Sequence, residues 1–278
     1  MSKGISLHIG LNAVDPAHYQ GWDGELNACE NDAKDMAAVA KSLGYAPTLM
    51  LTKEATASTV IAAITNAAKS LKAGDHFLLT YSGHGGQVPD RNGDEATQSA
   101  GEMGEWPDRF DETWVLYDRQ LVDDELWAMW AAFESKVLVE MFSDSCHSGT
   151  VAKPMPWANT EKAVARRMPL DVEERTYKAH KELYDSIQAK VPSRKSADVK
   201  ASIGLISGCQ DNQTSADGPV NGRFTGRFLE VWDGGRFKRS IRRLHKAIVA
   251  GMPRDQTPNL YFVGATSRAL MTSPALRL

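Results

Sequence analysis

Two apolar runs, His76-Phe77-Leu78-Leu79-Thr80-Tyr81 and Val137-Leu138-Val139-Glu140-Met141-Phe142, each break abruptly into small residues. The first opens into Ser82-Gly83-His84-Gly85-Gly86 and the second into Ser143-Asp144-Ser145-Cys146-His147-Ser148-Gly149. Continuous apolar runs of this length fit strands buried on both faces, which are characteristic of a parallel sheet covered by helices. Reactive groups in such a sheet collect in the crevice beyond the carboxyl ends of the strands. If the two runs are neighbouring parallel strands, His84 and Cys146 meet at one edge of the sheet.

The remaining signals alternate between strand and helix. Ile5 to Leu11 reads as a strand, Ala28 to Leu43 as an amphipathic helix, Leu49 to Leu51 as a short strand and Thr59 to Leu71 as a second helix. Asp123-Asp124-Glu125 begin a helix through Phe133, with acids suited to its first turn. A strand at Ile203 to Ser207, helices near Phe224 to Trp232 and Ser240 to Val249, and a strand at Leu260 to Val263 complete the pattern. This order predicts an α/β fold, a three-layer α/β/α sandwich around a mostly parallel sheet.

Composition narrows the function. A chain of 278 residues that is 42% hydrophobic can bury one substantial core, and its net charge of −3 gives no reason to expect a nucleic-acid partner. Cys29, Cys146 and Cys209 are too few and too scattered for a disulfide framework and fit a reducing cytoplasm. No run approaches the length needed to span a bilayer, and the first strand begins without a leader-like segment. Asn212-Gln213-Thr214 has the form of a glycosylation acceptor, which without secretion is a chance match.

The pairing of His84 with Cys146 has a chemical reason. A thiol titrating near 8.5 is mostly protonated at neutral pH, so it needs an adjacent imidazole to take its proton. His84 would take it and later protonate the leaving amine, while the N–H groups of Gly85 and Cys146 would hold the oxyanion. No third, orienting residue is evident. A lone cysteine at a strand end is usually a small buried hydrophobe and a lone histidine beside glycines a turn residue. Their joint occurrence at two matching strand ends favours catalysis. His147 is an alternative base, disfavoured because adjacent side chains diverge at a strand exit.

At these residues the sequence resembles the caspase-like cysteine peptidases, and within them the metacaspases and their bacterial relatives, the orthocaspases. Tyr81 to Gly86 match the histidine loop, Asp144 to Gly149 the nucleophile loop, and Ser207-Gly208-Cys209-Gln210-Asp211-Asn212-Gln213-Thr214-Ser215-Ala216-Asp217 a later segment. Leu26-Asn27-Ala28-Cys29-Glu30-Asn31-Asp32-Ala33 resembles the first loop and helix. The Gln-Ala-Cys-x-Gly signature of animal caspases is absent, which argues against cleavage after aspartate. The resemblance implies one catalytic domain, with a large part at 1–150, a candidate processing linker or insertion at 151–203, and a small part at 204–278. It also implies a zymogen and a monomer.

What lines the pocket beside Cys146 decides the substrate. In similar metacaspases the positions matching Asp32, Cys29, Ser82 and Asp144 form it, with Asp211 at the rim. Two carboxylates in a partly desolvated pocket favour guanidinium or ammonium, so the expected partners are peptides with Arg or Lys before the scissile bond. Capping of the nucleophile loop by Asp144 and a first-turn role for Asp32 account for the same acids without a pocket. Residues 151–203 are rich in basic residues, among them Arg166-Arg167, Arg175 and Arg194-Lys195. They are natural self-processing sites for such an enzyme, or else a surface insertion with solvated charges.

Between Asp90 and Asp124 eleven acids face three arginines. Hard oxygen ligands of this kind suit calcium. The resemblance implies Ca2+ as an activator, not an obligatory cofactor, with Asp111, Glu112 and Asp108 as the candidate ligands. The spacing is not that of an EF-hand, and solvated acids account for the same composition. Three other functions remain open. One is a catalytically silent peptide-binding or scaffold module; another is a metal site on His84, Cys146, His147 and Cys209; the third is an amidase or acyltransferase on the same dyad.

Overall fold

The computed structural model describes residues 2–93, 110–146, 164–191, 198–209, 213, 215–264 and 267–278. A six-stranded sheet has the order β2-β1-β3-β7-β8-β9. Its strands are β1 (Gly4–Gly10), β2 (Ala46–Leu51), β3 (His76–Ser82), β7 (Leu138–Asp144), β8 (Ser202–Ser207) and β9 (Asn259–Val263). The first five run parallel and β9 closes the edge antiparallel to β8.

The two faces follow from alternation along the strands. Leu7, Ile9, Phe77, Leu79, Tyr81, Val139 and Met141 point to one side, against Val60 and Ile64 of α2 (Ala57–Ser70) and Leu126, Met129 and Trp130 of α3 (Asp123–Ala131). Leu78, Phe142 and Ile206 point to the other. There they meet Met36 and Ala40 of α1 (Cys29–Ser42), Phe224, Phe228 and Trp232 of α6 (Arg223–Trp232), and Leu244 and Ile248 of α7 (Ile241–Val249). Each fully buried side chain of this size contributes about 1.5–3 kcal/mol, so two such layers set the register of every central strand. This is the expected three-layer sandwich.

Three elements lie outside that expectation. β4 (Gly85–Pro89), β5 (Phe110–Val115) and β6 (Gln120–Val122) form a separate antiparallel sheet beside the carboxyl ends of the main one. Gly85, expected in a turn, is the first residue of a strand, and a Cβ on Gly86 would lie 2.7 Å from Gln120 Oε1, so a side chain there would displace that amide. Within the basic stretch, α4 (Leu170–Ala179) and α5 (Lys181–Lys190) are amphipathic helices with buried anchors. Val172 and the preceding Met168 pack on Val14, Tyr19 and Val115, and Tyr184 packs on Val88 and Val122. A short α8 (Ser267–Thr272) follows β9. Among the described residues no helix is long and apolar enough to cross a membrane.

Glu140, in the middle of β7, is buried and accepts a hydrogen bond from Leu276 N at 2.7 Å. Burial pushes its carboxyl up to about 7, from an ordinary value of 4.5. A carboxyl raised in the folded state supplies stability below its unfolded value, and that stability is lost as pH rises through about 7. Glu140→Gln is expected to remove this loss. Relative to wild type it gains on the order of 2–3 kcal/mol between about pH 5 and pH 8, read by chemical unfolding at the two pH values.

Candidate active site

The register of β3 and β7 builds the site. Ser82 lies opposite Asp144, so His84 and Cys146 each stand two residues beyond one paired position. Both are buried. Nε2 of His84 is 3.1 Å from the Gly24 carbonyl, which assigns the N–H to Nε2 and leaves Nδ1 as the basic nitrogen. The ring packs on Trp22 with centroids 4.8 Å apart. The orienting group that the sequence did not reveal is therefore a main-chain carbonyl. Burial lowers the imidazole to about 4, opposed by backbone groups of Gly24 and Arg167, so the ring is neutral at physiological pH.

A strand-like segment of the same chain fills the cleft. The Arg166 carbonyl accepts hydrogen bonds from Gly85 N and Cys146 N, both at 3.1 Å, the two donors expected for an oxyanion. Arg166 N donates to Ser215 O at 3.0 Å, Asp217 N donates to Val164 O at 2.9 Å, and Met168 N donates to Gly85 O at 2.9 Å. Residues 164–168 are thereby held on one side by Gly85 and on the other by 215–217, as an extended peptide would be. The Cys146 thiol has Ser215 and Cys209 as its hydrogen-bond partners, and His84 is not among them. The main chain of the 164–168 segment instead passes between them, with the Cys146 N–H on the Arg166 carbonyl and a backbone group of Arg167 beside the His84 ring.

The Arg166 side chain is fully buried among three carboxylates. One terminal nitrogen donates to Ser82 Oγ at 2.8 Å and pairs with Asp144 Oδ2 at 2.9 Å. The other pairs with Asp32 Oδ2 at 2.8 Å and Asp217 Oδ1 at 2.9 Å. Each acid is fixed by further donors. Asp32 accepts from Gly222 N and Asn221 Nδ2, Asp144 from Ser215 Oγ and Thr225, and Asp217 from Asn27 N and Ala28 N. Burial raises Asp32 to about 6 even against the pull of the guanidinium. Burial also disfavours the charge on Arg166, but Asp144, Asp32 and Asp217 outweigh it and hold the group cationic.

Of the residues singled out from sequence, Asp32, Ser82 and Asp144 converge on this guanidinium, and Gly85 and Cys146 on its carbonyl. Cys29 is buried nearby; burial pushes its thiol up to about 12. Asp108, Asp211 and His147 lie outside the described residues. Asp111 and Glu112 are consecutive in β5 and leave opposite faces of it, Asp111 buried and Glu112 half-buried. Among the described residues no three His, Cys, Asp or Glu side chains are arranged to hold a metal ion. Sequence reasoning missed Asp217, Asn221 and Gly222. Asp217 closes the segment from Ser207 already singled out, so it carried a signal; Asn221 and Gly222 follow in a turn that carried none.

Known proteins place this geometry in context. The profile of the caspase domain matches residues 13–270. Metacaspase-1 of Mycosarcoma maydis is 28% identical over 258 residues, covering 81% of this chain and 60% of the relative. Metacaspase-1A of Aspergillus fumigatus is 28% identical over 265 residues, covering 81% of this chain and 59% of the relative. The chain therefore spans about 60% of the length of these two relatives. A crystal structure of a protein from Geobacter sulfurreducens superimposes with a TM-score of 0.87 at 53% identity, covering 99% of this chain and 98% of the other. Caspase-1 from Spodoptera frugiperda shares the fold, with a TM-score of 0.53 at 12% identity over 95% of this chain and 86% of the other.

Proposed function

Because this chain belongs to the caspase-domain family, we propose that it is a cysteine endopeptidase that cuts after arginine, and after lysine more slowly, and that Arg166–Arg167 is its own first substrate bond. The observation that carries this reading is the placement of Arg166. Its side chain lies in a pocket of three acids while its carbonyl lies on the Gly85 and Cys146 N–H groups. The Cys146 thiolate attacks the Arg166 carbonyl carbon, and the two N–H groups hold the oxyanion as it forms. His84 takes the thiol proton and passes it to the departing Arg167 nitrogen, and water then hydrolyses the thioester. Arginine suits the pocket better than lysine because its planar fork meets acids on two nitrogens at once, as Arg166 does with Asp144 on one and Asp32 and Asp217 on the other.

Calcium belongs to the proposal as an activator acting through the acidic stretch that carries Asp108, Asp111 and Glu112, and the enzyme is proposed to act as a monomer. A second reading is favoured by the orientation of the thiol, which contacts Ser215 and Cys209 rather than His84. Under it the chain is a silent module with Arg166 as a permanent plug. Hydrolysis of short fluorogenic peptides ending in Arg, Lys or Asp, by wild type and Cys146→Ala, with calcium or chelator, separates the two. Hydrolysis after Arg that vanishes in the variant supports the peptidase, and hydrolysis after Asp or none at all contradicts it.

Gly222 gives the pocket a steric test. A Cβ there would lie 2.5 Å from the Arg166 guanidinium carbon, yet the backbone at φ −58° and ψ 152° accepts an L side chain without strain. Gly222→Ala is expected to keep the fold and lower cleavage after Arg by about 100-fold or more, since the methyl group occupies the space of the guanidinium. The ratio of kcat/KM for Arg peptides between variant and wild type measures it.

A further inference from the structure

Cys209 has no part in the chemistry described so far, yet its sulfur lies 3.7 Å from that of Cys146. The fold brings them together. β7 and β8 are parallel neighbours with Ser143 opposite Ser207, and Gly208 N donates to Ser143 O at 2.7 Å. The pairing thus continues past both strand ends, and Cys209 Sγ comes within 3.6 Å of Ser145 O. Neighbouring strands run about 4.8 Å apart, inside the Cα separation of about 4.4–6.8 Å that a disulfide accepts. From 3.7 Å the two sulfurs must approach to a bond of about 2.05 Å, which rotation of the two side chains brings nearer. All three cysteines are thiols in this structure.

We propose that Cys209 is a resolving cysteine, which captures peroxide-oxidised Cys146 as a Cys146–Cys209 disulfide and so closes the active site reversibly. In the first step the Cys146 sulfur attacks one oxygen of hydrogen peroxide. The O–O bond breaks, and the departing hydroxide takes up the Cys146 thiol proton and leaves as water, giving a sulfenic acid. In the second, the Cys209 sulfur attacks the Cys146 sulfur, the S–S bond forms, and the hydroxyl leaves with the Cys209 proton as water. The two cysteines together lose two electrons and the peroxide gains them. A dithiol reverses the bond by exchange. Cys29 is the internal control: it is as buried as Cys146, but the neighbouring sulfurs are those of Cys146 and Cys209, and burial pushes the Cys29 thiol up so that it stays protonated. Only the effect on activity rests on the proposed peptidase function; formation of the bond does not.

The test treats the full chain with hydrogen peroxide, alkylates the remaining thiols and maps the non-reduced digest by mass. The expected result is a linked pair of peptides carrying Cys146 and Cys209, with Cys29 alkylated, and return of Arg-peptide hydrolysis to within about twofold of the untreated chain after a dithiol. In Cys209→Ala and Cys209→Ser, peroxide is expected to carry Cys146 on to sulfinic acid, with less than about a tenth of the activity recovered. A wild-type map with sulfinic Cys146 and no link, a link to Cys29, or equal recovery in wild type and both variants would overturn the proposal. Mapping needs no catalysis, so a chain inactive before treatment would sink the peptidase reading while the map still decided the disulfide.

Discussion

Cys146→Ala is expected to lose both self-cleavage and peptide hydrolysis by on the order of 10⁴-fold or more, with the chain still folded. The loss follows from the absence of any other group able to form the thioester. Cys209 is the nearest sulfur, but the Arg166 carbonyl rests on the Cys146 and Gly85 N–H groups, and Cys209 supplies no donor to it. The fold is expected to hold because the variant removes only a small buried sulfur. Its polar cost is the pair of hydrogen bonds that the thiol makes with the Ser215 main chain, about 1–2 kcal/mol. Melting temperature and intact mass after prolonged incubation check both halves. Cleavage that persisted in the variant would mean that another residue is the nucleophile.

The second large effect is at Arg166. Arg166→Ala leaves Asp32, Asp144 and Asp217 facing one another with no cation, and removing one partner of a buried ion cluster costs about 3–5 kcal/mol. The main-chain bonds of 164–168 alone do not hold that strand against three uncompensated acids, so release of the strand is the expected response. The variant should stay uncut between 166 and 167, melt at a lower temperature, and let iodoacetamide reach Cys146 at least about tenfold faster than wild type does. Arg166→Lys restores one cation without the fork and is expected to be cut slowly. An Arg166→Ala chain with an unchanged melting point and a still protected thiol would show that the strand is held by something other than its charge.

Much of this was written in the apolar periodicity. Phe77, Leu79, Val139 and Met141 belong to one buried layer and Leu78 and Phe142 to the other. A one-residue slip of β3 against β7 would exchange the layers, so the pairing that aligns His84 with Cys146 was fixed by these residues. β4 escaped notice because Gly85-Gly86-Gln87-Val88-Pro89 has little strand character, and its partner β5 begins only at Phe110. Arg166 reads from sequence as one of several basic residues that are either self-processing sites or solvated charges, with nothing to mark it as the buried one. Its burial depends on acids at positions 32, 144 and 217, which meet only after the sheet has formed. The acceptor that orients His84 is the carbonyl of Gly24, and a main-chain group has no residue signature.

Arg166 lies in the cleft as a substrate residue would, and intact mass with amino-terminal sequencing of the chain after incubation with calcium tests whether the bond that follows it is cut. Two fragments are expected, the second beginning at Arg167, with a single uncut chain for Cys146→Ala. A wild-type chain that hydrolyses Arg peptides while its 166–167 bond stays whole, or that is cut only at other positions, would contradict it.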